Sequence, residues 1–156
     1  KGEAKVQLIN VPDRPGIVAA IFGSLADRNV SVDMIIQSPS REGGTTTDVT
    51  FTVAKTDLTR CKNLIEAEAR QLGGAAVEYD PDIVKVSIVG LGMRSHAGIA
   101  SAMFRLLAAE GINIQAISTS EIKVSCLIHS KYTELAVRAL HDGFGLDKGP
   151  GTAGQG

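Results

Sequence analysis

The chain has 156 residues, a formal net charge of −1, 44% hydrophobic and 4% aromatic residues, and no tryptophan. That length suits one domain or two small ones around an aliphatic core, and the near-zero charge leaves no footprint for nucleic acid or an anionic membrane. No apolar run approaches the roughly 20 residues of a membrane span, and Cys61 and Cys126 are too few for a disulfide framework and stand in no metal-ligand spacing.

In chain order, Lys5–Asn10 alternates and then turns wholly apolar, as a strand with one buried face does. The turn Asp13-Arg14-Pro15-Gly16 comes next, and Ile17, Ile21 and Leu25 then form an apolar helical stripe that ends at Arg28-Asn29. Asn29 suits the left-handed conformation that closes helices. Val30–Gln37 predicts a second strand, Ser38–Thr46 a hairpin loop and Asp48–Val53 a third strand rich in β-branched residues. Thr56 or Asp57 can cap a helix carrying Leu58, Cys61, Ile65 and Leu72, with Gly73-Gly74 as its stop. Ala76–Tyr79 makes a short fourth strand before the turn Asp80-Pro81-Asp82, so the order is βαββαβ.

The second half repeats the first. Val84–Val89 predicts a strand, Gly98–Glu110 a helix stopped by Gly111, Ile112–Ile117 a strand, Ile122–Ile128 a strand and Lys131–His141 a helix. Gly16-Ile17 aligns with Gly98-Ile99, Phe22 with Phe104, and Ile35 with Ile117 without a gap, the mark of a duplicated unit. The expected division is 1–81 for the first unit, 82–146 for the second and 147–156 for a disordered, glycine-rich tail. The second unit lacks a fourth strand of its own, so that strand is either missing or supplied from elsewhere.

The first turn is the leading functional clue. It sets Asp13 beside a fresh helix N-terminus, whose unpaired N–H groups attract anions. A carboxylate next to an anion site suits a zwitterion, although Asp13 could equally serve as a plain helix cap. The corresponding stretch Leu91-Gly92-Met93-Arg94-Ser95-His96 offers a lone loop histidine without a nucleophile or a second metal ligand. Gly90-Leu91-Gly92 does not continue into a dinucleotide fingerprint, and neither a lysine-bearing phosphate loop nor paired catalytic carboxylates stand out.

Pro12-Asp13-Arg14-Pro15-Gly16, Val32-Asp33-Met34-Ile35-Ile36-Gln37, Gly92-Met93-Arg94-Ser95-His96 and Ile112–Ile122 together resemble the tandem ACT domains of the aspartate kinase family, over about Lys5 to Leu146. The resemblance implies an α+β fold of two ferredoxin-like βαββαβ units, each an antiparallel sheet with its helices on one face. It also implies a regulatory region, without catalytic residues, that binds threonine, lysine or both and represses a kinase domain or α subunit carried elsewhere. The implied site uses Asp13, Pro15, Gly16, Ile17 and Gln37 of the first unit and Asn113, Ile114 and Ser120 of a facing second unit. Family architecture gives the fourth strand of the second unit to a segment just before the first. Gln37 and Asn113 each offer a donor and an acceptor, but both could be solvated strand-end residues. Glu121 and Asp48 are candidate partners for the far end of lysine. Expected partners are free amino acids and a second copy of the chain, with no nucleic acid, membrane, metal or cofactor, in the cytoplasm. A dimerisation module without a ligand is the alternative.

Overall fold

The computed structural model describes residues 2–40, 44–73, 75–90, 96–145 and 152–155. The chain divides into two compact units, Glu3–Pro81 and Asp82–Gly156, the latter with the first two residues.

In the first unit, β1 (Gly2–Pro12) leads to α1 (Ile17–Asp27), β2 (Val32–Pro39), β3 (Thr46–Ala54), α2 (Leu58–Gln71) and β4 (Ala76–Val89), whose first residues belong to this unit. The strands lie in the order β2-β3-β1-β4, and β3 pairs antiparallel with both neighbours. Alternation does the sorting. Ala4, Val6 and Leu8 of β1 and Val49, Phe51 and Val53 of β3 meet Ile21 and Leu25 of α1 and Cys61 and Ile65 of α2 in one core. Phe22 stands edge-on to Phe51, with ring centroids 5.2 Å apart at 78°.

The second unit starts with the rest of β4 and continues through α3 (His96–Ala109), β5 (Ala116–Thr119), β6 (Lys123–His129), α4 (Thr133–Phe144) and β7 (Thr152–Gln155). β6 pairs antiparallel with β4 and β5, while β7 takes the other edge of β4 from Val86↔Gln155 to Val89↔Thr152. Val84, Val86 and Ile88 pack with Met103, Leu107, Val124, Cys126, Ala136 and Leu140 in a second core. Under the repeat, β7 holds the place that β4 holds in the first unit.

The α+β class, the antiparallel sheets and the βαββαβ order are as the pattern predicts. Asn29 takes φ 58°, in the left-handed region expected of it. Several local expectations are corrected. Asp80-Pro81-Asp82 makes no turn, because β4 runs through it unbroken. Proline removes one N–H, and a strand tolerates that loss wherever the group would face away from its neighbour. Of Ile112–Ile117, only Ala116 and Ile117 enter β5, since Ile112 is buried in the second core and its N–H closes the end of α3 on the Leu107 carbonyl at 3.0 Å. A 3₁₀ turn, Lys55–Asp57, leads into α2 without a side-chain cap, and the Asp57 carboxylate instead pairs with Arg60 at 2.9 Å. Within the predicted disordered tail, Thr152–Gln155 forms β7. The exposed edge of β4 offers unpaired N–H and C=O groups, and backbone pairing asks little of the side chains that satisfy it. That edge, which family architecture assigns to a segment before the first unit, is thus filled from the C-terminal side. Residues 146–151 lie outside the described residues.

Phe51→Ala should destabilise the first unit by about 3–5 kcal/mol, measured by urea denaturation, because a buried ring and its edge-on partner are lost together. The thiols give a pH dependence. Burial, with the Asp57 charge adding to it, pushes Cys61 up from 9.0 to about 11, and burial alone pushes Cys126 up to about 12. The unfolded chain therefore releases thiol protons that the folded chain keeps. This contribution to stability is whole below pH 9.0 and is lost as pH rises through about 11 and 12. Urea midpoints should fall between about pH 8 and about pH 10, and less steeply in a Cys61→Ala/Cys126→Ala double variant.

Candidate functional site

The first turn is aimed by an irregularity in β1. Leu8 lies opposite Val49 and Val11 opposite Thr47, so three steps along β1 face two along β3. The extra residue is absorbed at Asn10, which takes φ 63°. A bulge of this kind bends its strand and redirects the residues beyond it. The Asn10 N–H has turned to the Asp48 carboxylate, donating to Oδ1 at 3.0 Å. Further on, Pro12 is opposite Thr46, and the Asp13 N–H donates to the Thr45 carbonyl at 2.8 Å.

The chain then leaves the sheet through Arg14 and Pro15, and α1 opens at Gly16 with φ 90°. No side chain caps this helix. The Ile17 N–H reaches the Arg14 carbonyl only at 3.4 Å, a long contact. Asp13 is exposed beside this helix start and forms no cap bond to it, which removes the plain capping role left open by the sequence. A carboxylate and a set of helix-terminal N–H groups remain side by side on the surface, one suited to a cation and the other to an anion.

Gln37 is exposed on β2, opposite Val49 of β3. Two residues later Pro39 lies opposite Thr47, which faces Val11 on its other side. Gln37 and the Asp13–Ile17 turn thus share one end of the sheet, on strands separated by β3, or about 10 Å at ordinary strand spacing. The remaining expected residues belong to the second unit. Asn113 is exposed and Ile114 half-buried in the segment before β5, whereas Ser120 lies just after β5 and its N–H donates to the Lys123 carbonyl at 2.8 Å. The second unit therefore places Asn113 and Ser120 at opposite ends of β5. Leu91–Ser95, the corresponding turn of that unit, lies outside the described residues.

The polar residues beneath the first turn are not evident from the sequence. Ser40 and Thr46, expected in a loop, flank the ends of β2 and β3, and the Thr46 hydroxyl donates to Ser40 Oγ at 2.9 Å. The Ser40 hydroxyl in turn donates to Asp48 Oδ1 at 3.3 Å. The clue available beforehand is composition alone, a cluster of hydroxyls with one acid at a strand end. Among the described residues, no group of three or more His, Cys, Asp or Glu side chains could hold a metal ion. Nor is any helix among them long and apolar enough to cross a membrane.

Two matches to the ACT domain family, over residues 7–69 and 86–144, coincide with the two units. The aspartokinase of Pseudomonas aeruginosa is 52% identical over 147 residues, covering 94% of this chain and 35% of the relative. That of Helicobacter pylori is 49% identical over 148 residues, covering 95% of this chain and 36% of the relative. Among solved structures, aspartokinase alpha and beta subunits match with TM-score 0.82 and 49% identity, covering 92% of this chain and 93% of that one. The ligand-free regulatory subunit of aspartate kinase from Thermus thermophilus matches with TM-score 0.83 and 39% identity, at 92% and 93% coverage. Fold and sequence together define a pair of ACT domains. The chain belongs to the aspartate kinase family, as its regulatory region, and spans about a third of the length of the curated relatives it matches.

Gly16→Ala should cost about 1–2 kcal/mol of stability, because no atom stands within 4 Å of the added methyl and the cost is the left-handed backbone itself. Asp13→Ala should stay within about 0.5 kcal/mol of the parent, since no cap is lost. Urea denaturation measures both.

Proposed function

We propose that the chain is the amino-acid sensor of an aspartate kinase and feeds the level of end products, threonine, lysine or both, back onto the kinase. The observation that carries this reading is the uncapped N-terminus of α1 with the exposed Asp13 carboxylate beside it. In this arrangement Asp13 takes the α-ammonium group. The N–H groups at Gly16, Ile17 and the rest of the first turn take the α-carboxylate, and Pro15 holds the approach rigid. Gln37 reads the polar end of the ligand side chain. The turn is open on the surface of its unit, so closure falls to a facing strand. In the family-based reading, Asn113, Ile114 and Ser120 supply it.

A ligand that touches two elements binds best at one relative placement of them and, by linkage, favours that placement. A coupling of about 1–3 kcal/mol is the usual scale. Chemistry on aspartate belongs to a catalytic domain or α subunit outside these residues. The name of one solved relative, aspartokinase alpha and beta subunits, supports such a partner. The second reading, a dimerisation module without a ligand, draws on Ile35 (54% exposed) and Ile117 (46% exposed), which occupy the edge strands β2 and β5. The two readings are compatible if a second copy supplies the facing strand.

Calorimetric titration with L-threonine, L-lysine, L-methionine and the first two together separates them. The sensor reading expects saturable binding of threonine or lysine, and expects Asp13→Asn to weaken it by about 2–5 kcal/mol at unchanged stability. Absence of heat and of any rise in melting temperature with each amino acid would leave only the dimerisation module.

A further inference from the structure

We infer that Asp48 is a positioning residue of the amino-acid site: one carboxylate oxygen sets the spacing between the two strands that carry the ligand-binding groups. The assignment rests on the sensor reading above. β3 lies between β1 and β2, and Asp48 sits near its start. From there Oδ1 accepts the Asn10 N–H on one side at 3.0 Å and the Ser40 hydroxyl on the other at 3.3 Å. Asn10 stands three residues before Asp13, and Ser40 three residues after Gln37. The same oxygen therefore holds the approach to the Asp13–Ile17 turn and the strand end beyond Gln37.

Each arm is reinforced. On the β1 side the bond stabilises φ 63° at Asn10, a conformation in which the amide has left the ladder and needs another acceptor. On the β2 side Ser40 is 5% exposed and receives the Thr46 hydroxyl at 2.9 Å, so its own proton is directed onward to Asp48. Thr47 adds a parallel tie, its hydroxyl donating to the Ser38 carbonyl at 2.7 Å. Composition alone makes Asp48 a candidate partner for the far end of lysine. Its Oδ1 is occupied by the protein itself, which favours the positioning role. An amide oxygen can accept the same two bonds, so the role requires an acceptor at this point and not a charge.

The test uses the full chain, with L-threonine and L-lysine titrated separately by calorimetry and melting temperatures measured without ligand. Asp48→Ala should weaken binding about tenfold or more, the scale of one lost charge-assisted hydrogen bond. Asp48→Asn should restore affinity to within about threefold of the parent, about half of a tenfold loss on the free-energy scale. Ile65→Val, in the core of the same unit, lowers melting temperature without touching the network and should leave affinity unchanged. Parent-like affinity in Asp48→Ala overturns the assignment and leaves the sensor reading standing. Equal loss in Asp48→Ala and Asp48→Asn overturns it too, because the charge would then be what matters. So does an Ile65→Val loss as large as that of Asp48→Ala, since affinity would merely track stability. Lack of binding by the parent to either amino acid removes the sensor reading and the Asp48 role together.

Discussion

One extra residue in β1 governs the functional end of the first unit. A regular strand would keep pairing with β3 and carry Asp13 onward along the sheet. With the bulge at Asn10, the strand bends, Pro12 and Asp13 make their last ties to Thr46 and Thr45, and the chain enters α1 at Gly16. The left-handed backbone at Asn10 is unfavourable in isolation, and the acceptor that stabilises it stands on the neighbouring strand. That bond satisfies the Asn10 amide at the bend through which the chain reaches α1.

The rest of the unit makes the bulge tolerable. Phe51, Val49 and Val53 anchor β3 in the core ahead of the irregularity, and the buried Val11, opposite Thr47, holds the register against β1 beyond it. The second unit reaches the same order by other means. Its first helix opens at His96, three residues earlier than the alignment of Ile99 with Ile17 implies, and its second strand is only four residues long. A buried hydroxyl pair, Ser87 and Ser125 at 2.7 Å, joins β4 to β6, whereas across β1 and β3 the first unit sets Gln7 opposite Thr50. The polar network under the first turn is built from residues particular to the first unit.

Most of the fold is legible in the sequence because periodicity and punctuation are local. Alternation in Lys5–Asn10, the stripe Ile17–Leu25 and the left-handed tolerance of Asn29 each carry their own physical cause. Local reasoning fails where partners distant in sequence decide. Asp80-Pro81-Asp82 has turn chemistry, yet strand pairing extends through it. The tail composition suggests disorder, yet an open strand edge recruits Thr152–Gln155. The site divides in the same way. Gln37 and the turn carrying Asp13, Gly16 and Ile17 lie at one end of the first sheet, a neighbourhood that only the family resemblance implies. Asp48 reads in the sequence only as a candidate partner for the far end of lysine, because its contacts depend on a bulge that is invisible without the register and on a bond spanning 38 positions.

The central claim is that an amino acid seats its carboxylate on the open N-terminus of α1. Backbone amide resonances of the isotope-labelled chain, recorded during titration with L-threonine and with L-lysine, test it most directly. The account predicts saturable shifts concentrated at Gly16, Ile17, Val18 and Asp13, with a smaller response at Gln37. Saturable shifts that bypass the Asp13–Val18 amides and gather elsewhere would contradict it.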